Sequence, residues 1–238
     1  FLVWDTILVV YLDYVKTIYL IRHSAPFIEI ENYDNNDEIL WSEFNRNMIL
    51  SPKGEENARK LCEVDELKNI QALYASNSPR AIQTAKYLAE RNGLKIKLDS
   101  RIDEREFGVK YFKEIPADFT QTSFVNKDFK MEAGESLNEV DKRFQSFIND
   151  FIKTNVDNIA VVIHGIILLS YLQSVSDCFS YDGKIFKIKE NNKNQRVFER
   201  IMIMEYELIG IGRVKMTVGI RRRTREKIQY CITAISTE

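Results

Sequence analysis

The chain is short of the residues that build metal centres, disulfide frameworks and membrane spans. Its 238 residues include two histidines, three cysteines, four prolines and nine glycines. Cys62, Cys178 and Cys231 are far apart, odd in number and without C-x-x-C spacing, which argues against a disulfide framework or a structural zinc site. A reducing cytoplasm is the natural setting. With so few imidazoles and thiols, a protein-held transition metal would depend on carboxylates, and no such cluster stands out, so neither metal nor cofactor is expected. A charge excess is missing too. The net charge of −1 does not suggest a nucleic-acid partner. Residues 1–15 are apolar but interrupted by Asp5 and Asp13, too short and too charged to span a bilayer, and they lack the basic start and cleavage site of a signal peptide. They are read as an apolar N-terminal extension packed on the domain, with no stable membrane association.

What is present is ordinary globular material, 45% hydrophobic and 29% charged, long enough for one α/β domain with a sizeable core. The run Thr17-Ile18-Tyr19-Leu20-Ile21 ends in Arg22-His23-Ser24, and Ile159-Ala160-Val161-Val162-Ile163 ends in His164-Gly165. Both read as buried strands that deliver a histidine to a strand end. Between them, Ser51-Pro52 starts a helix running to about residue 61. A strand over 72–75 leads through Ser76-Asn77-Ser78-Pro79-Arg80 into a helix that Gly93 ends, and 95–98 alternates like a strand. Asp103-Glu104-Arg105-Glu106-Phe107-Gly108 is a charged turn. Ser136 and Glu139 form a capping box ahead of Leu137, Val140, Phe144, Phe147, Ile148 and Phe151 at helical spacing. An apolar helix follows over 166–175.

The remaining stretches are less periodic. Residues 29–47 are read as a long polar loop or small insertion, and 109–133 as a folded excursion that could cover a site. Strands are expected over 184–189, 199–207 and 213–220, as antiparallel additions to the sheet. The domain is placed at 16–220, followed by a basic C-terminal extension, 221–238. The run Arg221-Arg222-Arg223-Thr224-Arg225-Glu226-Lys227 within that extension reads as a solvated element end.

Arg22, His23, Arg80, Glu104 and His164 all follow predicted strands in a β/α alternating chain, so they can converge at the carboxyl ends of a doubly wound sheet. Two guanidiniums and two helix N-termini form a socket for a tetrahedral dianion, because arginine forks and helix N–H groups match phosphate oxygens. A neutral imidazole can attack phosphorus, and a nearby carboxylic acid can protonate the departing oxygen. The expected chemistry is phosphoryl transfer on a small-molecule phosphoester without a metal.

Six segments strengthen this reading: Ile21-Arg22-His23, Ser51-Pro52-Lys53-Gly54, Ser76-Asn77-Ser78-Pro79-Arg80-Ala81-Ile82-Gln83-Thr84-Ala85, Glu104 with Phe107-Gly108, Gly134-Glu135-Ser136-Leu137, and His164-Gly165. In this order they resemble the histidine phosphatase superfamily, in its phosphoglycerate mutase-like branch. The resemblance implies a three-layer α/β/α sandwich with a mostly parallel central sheet. It implies His23 as the phosphorylated nucleophile, Arg22, Arg80 and His164 as the phosphate pocket, and Glu104 as proton donor. Departures bear on the substrate. Ser24 replaces the family glycine, Ala25-Pro26 replaces a common glutamate-threonine pair, Glu29 or a neighbour stands where many mutases carry asparagine, and Lys110-Tyr111-Phe112 replaces tryptophan-glutamate-glycine. A phosphatase passing through a phosphohistidine is therefore expected. The alternatives are a phosphoglycerate mutase-type phosphotransferase and a non-catalytic module that binds a phospho-ligand or partner.

Overall fold

The computed structural model describes residues 14–27, 40–175, 179–181, 186–188, 213–220 and 228–234. The first strand, β1 (Tyr14–Arg22), pairs in parallel with β4 (Asn158–Ile163). Ile18, Leu20, Ile21 and the whole of 159–163 are shut off from solvent, as expected for strands covered on both faces, which need apolar side chains at every position. β2 (Ala72–Ala75) lies parallel to β4 on its other side, and β3 (Ile96–Leu98) parallel to β2 at that edge.

Alternation along the central strands divides the core into two layers. Ile18, Leu20, Ile159, Val161 and Ile163 pack against α5 (Leu137–Lys153) and α6 (Gly165–Val175). Tyr19, Ile21, Ala160 and Val162 pack against α2 (Pro52–Leu61) and α3 (Pro79–Asn92). Helices therefore lie on both faces of a mostly parallel sheet, and the expected three-layer α/β/α arrangement is what the chain adopts.

The helix ends follow the capping residues read from the sequence. The Ser51 hydroxyl accepts the Gly54 N–H at 3.0 Å, with Pro52 at the first helical position. Ser136 and Glu139 exchange bonds at 3.2 and 2.8 Å at the head of α5. Gly93 closes α3 in the left-handed region at φ 62°, where glycine carries no Cβ penalty. A Cβ on Gly54 would lie 2.1 Å from the Ala25 carbonyl oxygen. Only glycine lets α2 sit against the turn that follows His23.

Three expectations change. Residues 41–47, read as loop, form the short helix α1 (Trp41–Asn47), while 28–39, including Glu29, lie outside the described residues. The strand at 184–189 forms as β6 (Phe186–Ile188), but it pairs with β5 (Phe179–Tyr181) in a separate two-stranded sheet and is not an addition to the main one. Residues 228–234, placed in a basic extension, form β8 (Ile228–Ala234) at the edge of the main sheet, antiparallel to β7 (Arg213–Ile220), which runs antiparallel to β1. The main sheet thus runs β3-β2-β4-β1-β7-β8. The expected strand at 199–207 and the run 221–227 lie outside the described residues, as do 1–13. The excursion at 109–133 contains α4 (Phe119–Val125), whose Phe119 and Phe124 are buried. Among the described residues no helix is long and apolar enough to cross a membrane.

The helical layer around α5 is packed with aromatic rings. Phe144, fully buried, meets Tyr171 of α6 edge-on at 4.7 Å and stacks beside Phe147 at 6.2 Å. Phe144→Ala would leave a cavity that these rigid neighbours cannot fill, and a loss of about 3–5 kcal/mol is expected in urea unfolding.

Candidate active site

Parallel pairing sets the site. Arg22 lies opposite Ile163 in the β1/β4 register, and the His23 N–H donates to the Ile163 carbonyl at 2.9 Å. The chain therefore leaves both strands at the same level, and the His23 and His164 rings stand 5.1 Å apart at 61°. β2 ends beside them, its successor Ser76 donating its N–H to Val162 O at 3.1 Å. The first turn of α3 then supplies Arg80, and the loop beyond β3 supplies Glu104. All five residues expected at the site are brought together.

Arg80 is the hub. Its guanidinium is buried, with 2% of the residue exposed. Nε donates to His23 Nε2 at 3.2 Å and Nη2 to His164 Nδ1 at 3.2 Å. Nη2 also donates to Asn45 Oδ1 at 3.0 Å, and Nη1 donates to the Asn45 main-chain carbonyl. A cation in a helix's first turn opposes the macrodipole, and these four acceptors are what hold it there.

The hydrogen bonds fix both tautomers. A carbonyl only accepts, so the 2.8 Å contact between His23 Nδ1 and Ser24 O puts the proton on Nδ1 and leaves the Nε2 lone pair facing Arg80. For His164, Nδ1 accepts from Arg80, so Nε2 carries the proton and donates to Ser76 Oγ at 2.7 Å. That hydroxyl also accepts the Ser78 N–H at 3.1 Å. Burial holds the His23 imidazole well below its ordinary range, reinforced by Arg80 and Arg22. Burial and Arg80 do the same for His164. Each ring thus makes the hydrogen bonds of its neutral form, one nitrogen donating and the other accepting from Arg80, and the burial that lowers both favours that form.

Arg22 runs over the start of α6, where a Cβ on Gly165 would come 3.2 Å from its Nε. Glycine after His164 is thus a matter of room for the Arg22 side chain. Glu104 Oε1 accepts the Arg105 N–H at 3.0 Å, while Oε2 lies 3.5 Å from His164 Nδ1. Burial is the largest influence on this carboxyl and raises it, against the opposing pull of Arg80, Arg22 and Arg143. A cavity of about 390 Å³ opens beside Glu104, bounded by Asn45, Arg46, Asn77, Ser78 and Asp103. The Arg46–Glu106 ion pair at 2.7 Å stands on its rim.

Several participants carried no signal strong enough to be singled out. Asn45 sits on α1, a helix without a buried residue, so it has no apolar stripe to mark it. Ser76 is visible as part of a motif but not as the partner of His164. Arg143 clasps Glu135 at 2.9 and 3.0 Å and donates to the carbonyls of Arg101 and Glu104 at 2.8 and 3.3 Å. In sequence it is only one more charge on an amphipathic helix. Among the described residues, no group of three or more His, Cys, Asp or Glu side chains is placed to hold a metal ion.

Known proteins resemble this chain in sequence and in fold. A protein of Hydrogenobacter thermophilus provisionally named phosphoserine phosphatase 2 is 26% identical over 159 residues, 63% of this chain and 74% of that protein. An Enterobacter protein provisionally named phosphoglycerate mutase is 27% identical over 148 residues, 59% of this chain and 69% of that one. Among solved structures, a mycobacterial glucosyl-3-phosphoglycerate phosphatase superposes with a TM-score of 0.62 at 15% identity, covering 92% of this chain and 98% of that one. An Escherichia coli protein provisionally assigned as an alpha-ribazole-5'-P phosphatase gives 0.56 at 15% identity, covering 93% and 96%. These two structures share the fold. The family model described as histidine phosphatase superfamily (branch 1) matches residues 18–197, a span that takes in both histidines, Arg80 and the Glu104 loop, and this chain belongs to that superfamily.

Proposed function

We propose that the protein is a metal-independent phosphatase that hydrolyses small phosphomonoesters through a phosphohistidine on His23. The observation that carries this reading is the His23 tautomer. With Nδ1–H spent on the Ser24 carbonyl and burial favouring the neutral ring, Nε2 carries the lone pair that a nucleophile toward phosphorus requires; it accepts the Arg80 Nε–H at 3.2 Å and is released when that guanidinium turns to the phosphoryl oxygens.

In the first step His23 Nε2 bonds to phosphorus while the ester P–O bond breaks, and Glu104 gives its proton to the departing alcohol oxygen. In the second, Glu104 as carboxylate takes a proton from water, whose oxygen bonds to phosphorus as the P–Nε2 bond breaks, releasing phosphate. The raised carboxyl of Glu104 suits a group that must start protonated near neutral pH. Arg22 and Arg80 match the phosphoryl oxygens, Arg80 exchanging its Asn45 acceptors for those of the substrate. Burial first and Arg80 second hold His164 neutral; the dianion's charge opposes both, so this ring takes up a proton and donates to the phosphoryl group as substrate binds. The two relatives with phosphatase and mutase names support small phosphorylated substrates. Cys62 is free, and the cysteine pattern favours the cytoplasm.

A mutase differs only in where the phosphoryl group goes, to a second hydroxyl or to water. The Enterobacter relative favours that alternative, whereas Lys110-Tyr111-Phe112 in place of tryptophan-glutamate-glycine favours hydrolysis. Release of free phosphate, measured against isomerisation of phosphoglycerate, separates the two.

His23→Ala is expected to abolish turnover of an aryl phosphate and the acid-labile phosphoenzyme seen after rapid quenching; undiminished turnover removes His23 from the nucleophile's place. Glu104→Gln should slow alkyl phosphates by about 10²–10⁴-fold and aryl phosphates far less, because a good leaving group needs little protonation. The pH profile follows from the same shifts. His23 reacts as the neutral ring, and since burial lowers it, the acid limb of kcat/KM should lie well below 6.5, the value of an unperturbed imidazole. Glu104 reacts protonated, so alkyl ester hydrolysis should fall as pH rises through its raised value. Glu104→Gln should remove that alkaline limb and leave the acid limb in place.

A further inference from the structure

Next to Glu104 in the chain stands a guanidinium that the chemistry above does not use. Arg105 is 2% exposed, and its three nitrogens reach three separate segments. Nε donates to Glu135 O at 2.7 Å, Nη1 to Ser123 Oγ at 2.7 Å and Nη2 to Phe129 O at 2.9 Å. Its face lies 4.5 Å from the ring of Phe119. All three acceptors are neutral, so this is a buried cation without a carboxylate in direct contact. Burial pulls it down to about 10. Such a group costs several kcal/mol to desolvate, and an apolar side chain of similar size would fill the space more cheaply. What an apolar side chain lacks is a fork that ties the Glu104 loop to α4, to Phe129 and to the entry of α5 at once.

The tie acts on Glu104 through the backbone. The peptide N–H that donates to Glu104 Oε1 is that of Arg105 itself, so the side chain that anchors this residue also fixes the N–H. With Oε1 accepting that bond, the carboxyl proton belongs on Oε2, the oxygen turned toward His164. On the other side of the loop, Glu106 exchanges backbone bonds with Glu135, its carbonyl accepting the Glu135 N–H at 2.8 Å and its N–H donating to Glu135 Oε2 at 3.1 Å.

We propose that Arg105 is a positioning residue for the Glu104 acid, locking the peptide whose N–H decides which carboxyl oxygen holds the proton and where that oxygen points. The proposal rests on the reading of Glu104 as proton donor. Loss of the lock leaves the phosphate socket and His23 in place and misplaces only the acid, and a displacement of the order of 1 Å at a reacting group can cost about 100-fold in rate.

The test uses the full-length protein with Arg105→Met and Arg105→Lys, an alkyl and an aryl phosphate, and vanadate as the socket probe. For Arg105→Met, kcat on the alkyl ester should fall about 10- to 100-fold. The aryl ester should lose less than about 3-fold, with KM and vanadate affinity unchanged, because neither depends on the acid. The alkaline limb should move to higher pH, since a weakened N–H bond to Oε1 no longer favours the carboxylate. Arg105→Lys, which keeps one donor and the charge, should restore part of both effects. Equal slowing of both esters, or an unmoved alkaline limb, makes Arg105 a packing residue only and overturns the proposal. If the Met variant fails to fold, Lys and Ser123→Ala carry the comparison, each expected to show the same selectivity in weaker form. Glu104→Gln run alongside separates the two claims: without leaving-group selectivity in that variant the acid reading itself fails, whereas selectivity there and none at Arg105 sinks this proposal alone.

Discussion

The site depends on one interaction, a buried guanidinium held between two imidazole lone pairs. Arg80 could not stay buried and charged without acceptors, and His23 and His164 could not be kept neutral as firmly without a cation beside them. Each condition maintains the other. The arrangement is also a rehearsal for an anion, since the acceptors now offered by Asn45 are oxygens at the front of the same fork that would face a phosphoryl group. On the proposed chemistry a substrate would take over the contacts now made by Asn45, so the cationic frame is already assembled, which is the condition under which charge stabilisation is most effective.

The Glu104 arm of the site is built separately. It does not belong to the sheet, and its precision comes from a backbone junction on the far side of the loop. Gly108 has φ 74°, and a Cβ on it would fall 2.1 Å from the Gly134 nitrogen, while one on Gly134 would meet Phe107 O at 2.6 Å. Two glycines let the loop and the entry of α5 touch backbone to backbone. The Glu135–Arg143 pair then clasps the same junction through side chains. The motif around Gly134 thus serves as a mount for the Glu104 loop.

This division explains what could be read beforehand. The strand ends were legible because β1 and β4 are covered on both faces and must be apolar throughout, so the first polar residues after each run, Arg22-His23 and His164, had to mark the edge of the core. Helix starts were legible at Ser51, Pro79 and Ser136 because capping chemistry is local. Asn45 was hidden because α1 buries none of its side chains and is held by Trp41 packing on Phe107 and Phe112 at 5.4 and 5.1 Å, contacts that no period reveals. Arg105 was hidden by its neighbours, since in Asp103-Glu104-Arg105-Glu106 nothing local tells an anchored cation from a solvated one. β8 was missed because the arginine run at 221–227 dominated the composition, although Ile228, Tyr230, Ile232 and Ala234 alternate as a strand should. The pairing of β5 with β6 depends on where the chain turns, which strand propensity does not encode.

Ser24, where the family pattern breaks, looks different once its bonds are known. The part of it that the chemistry needs is the carbonyl, which holds the Nδ1–H of His23, and any residue supplies a carbonyl. Its N–H donates to Thr84 Oγ1 at 2.9 Å, and Thr84 in turn donates to Arg80 O at 2.7 Å, so the backbone around Ser24 is tied to the helix that carries the socket's cation. The hydroxyl, by contrast, is fully buried and has no hydrogen-bond partner among the described residues. The departure from glycine therefore leaves the hydrogen bonds of His23 intact, because they depend on the backbone of Ser24 and not on its side chain.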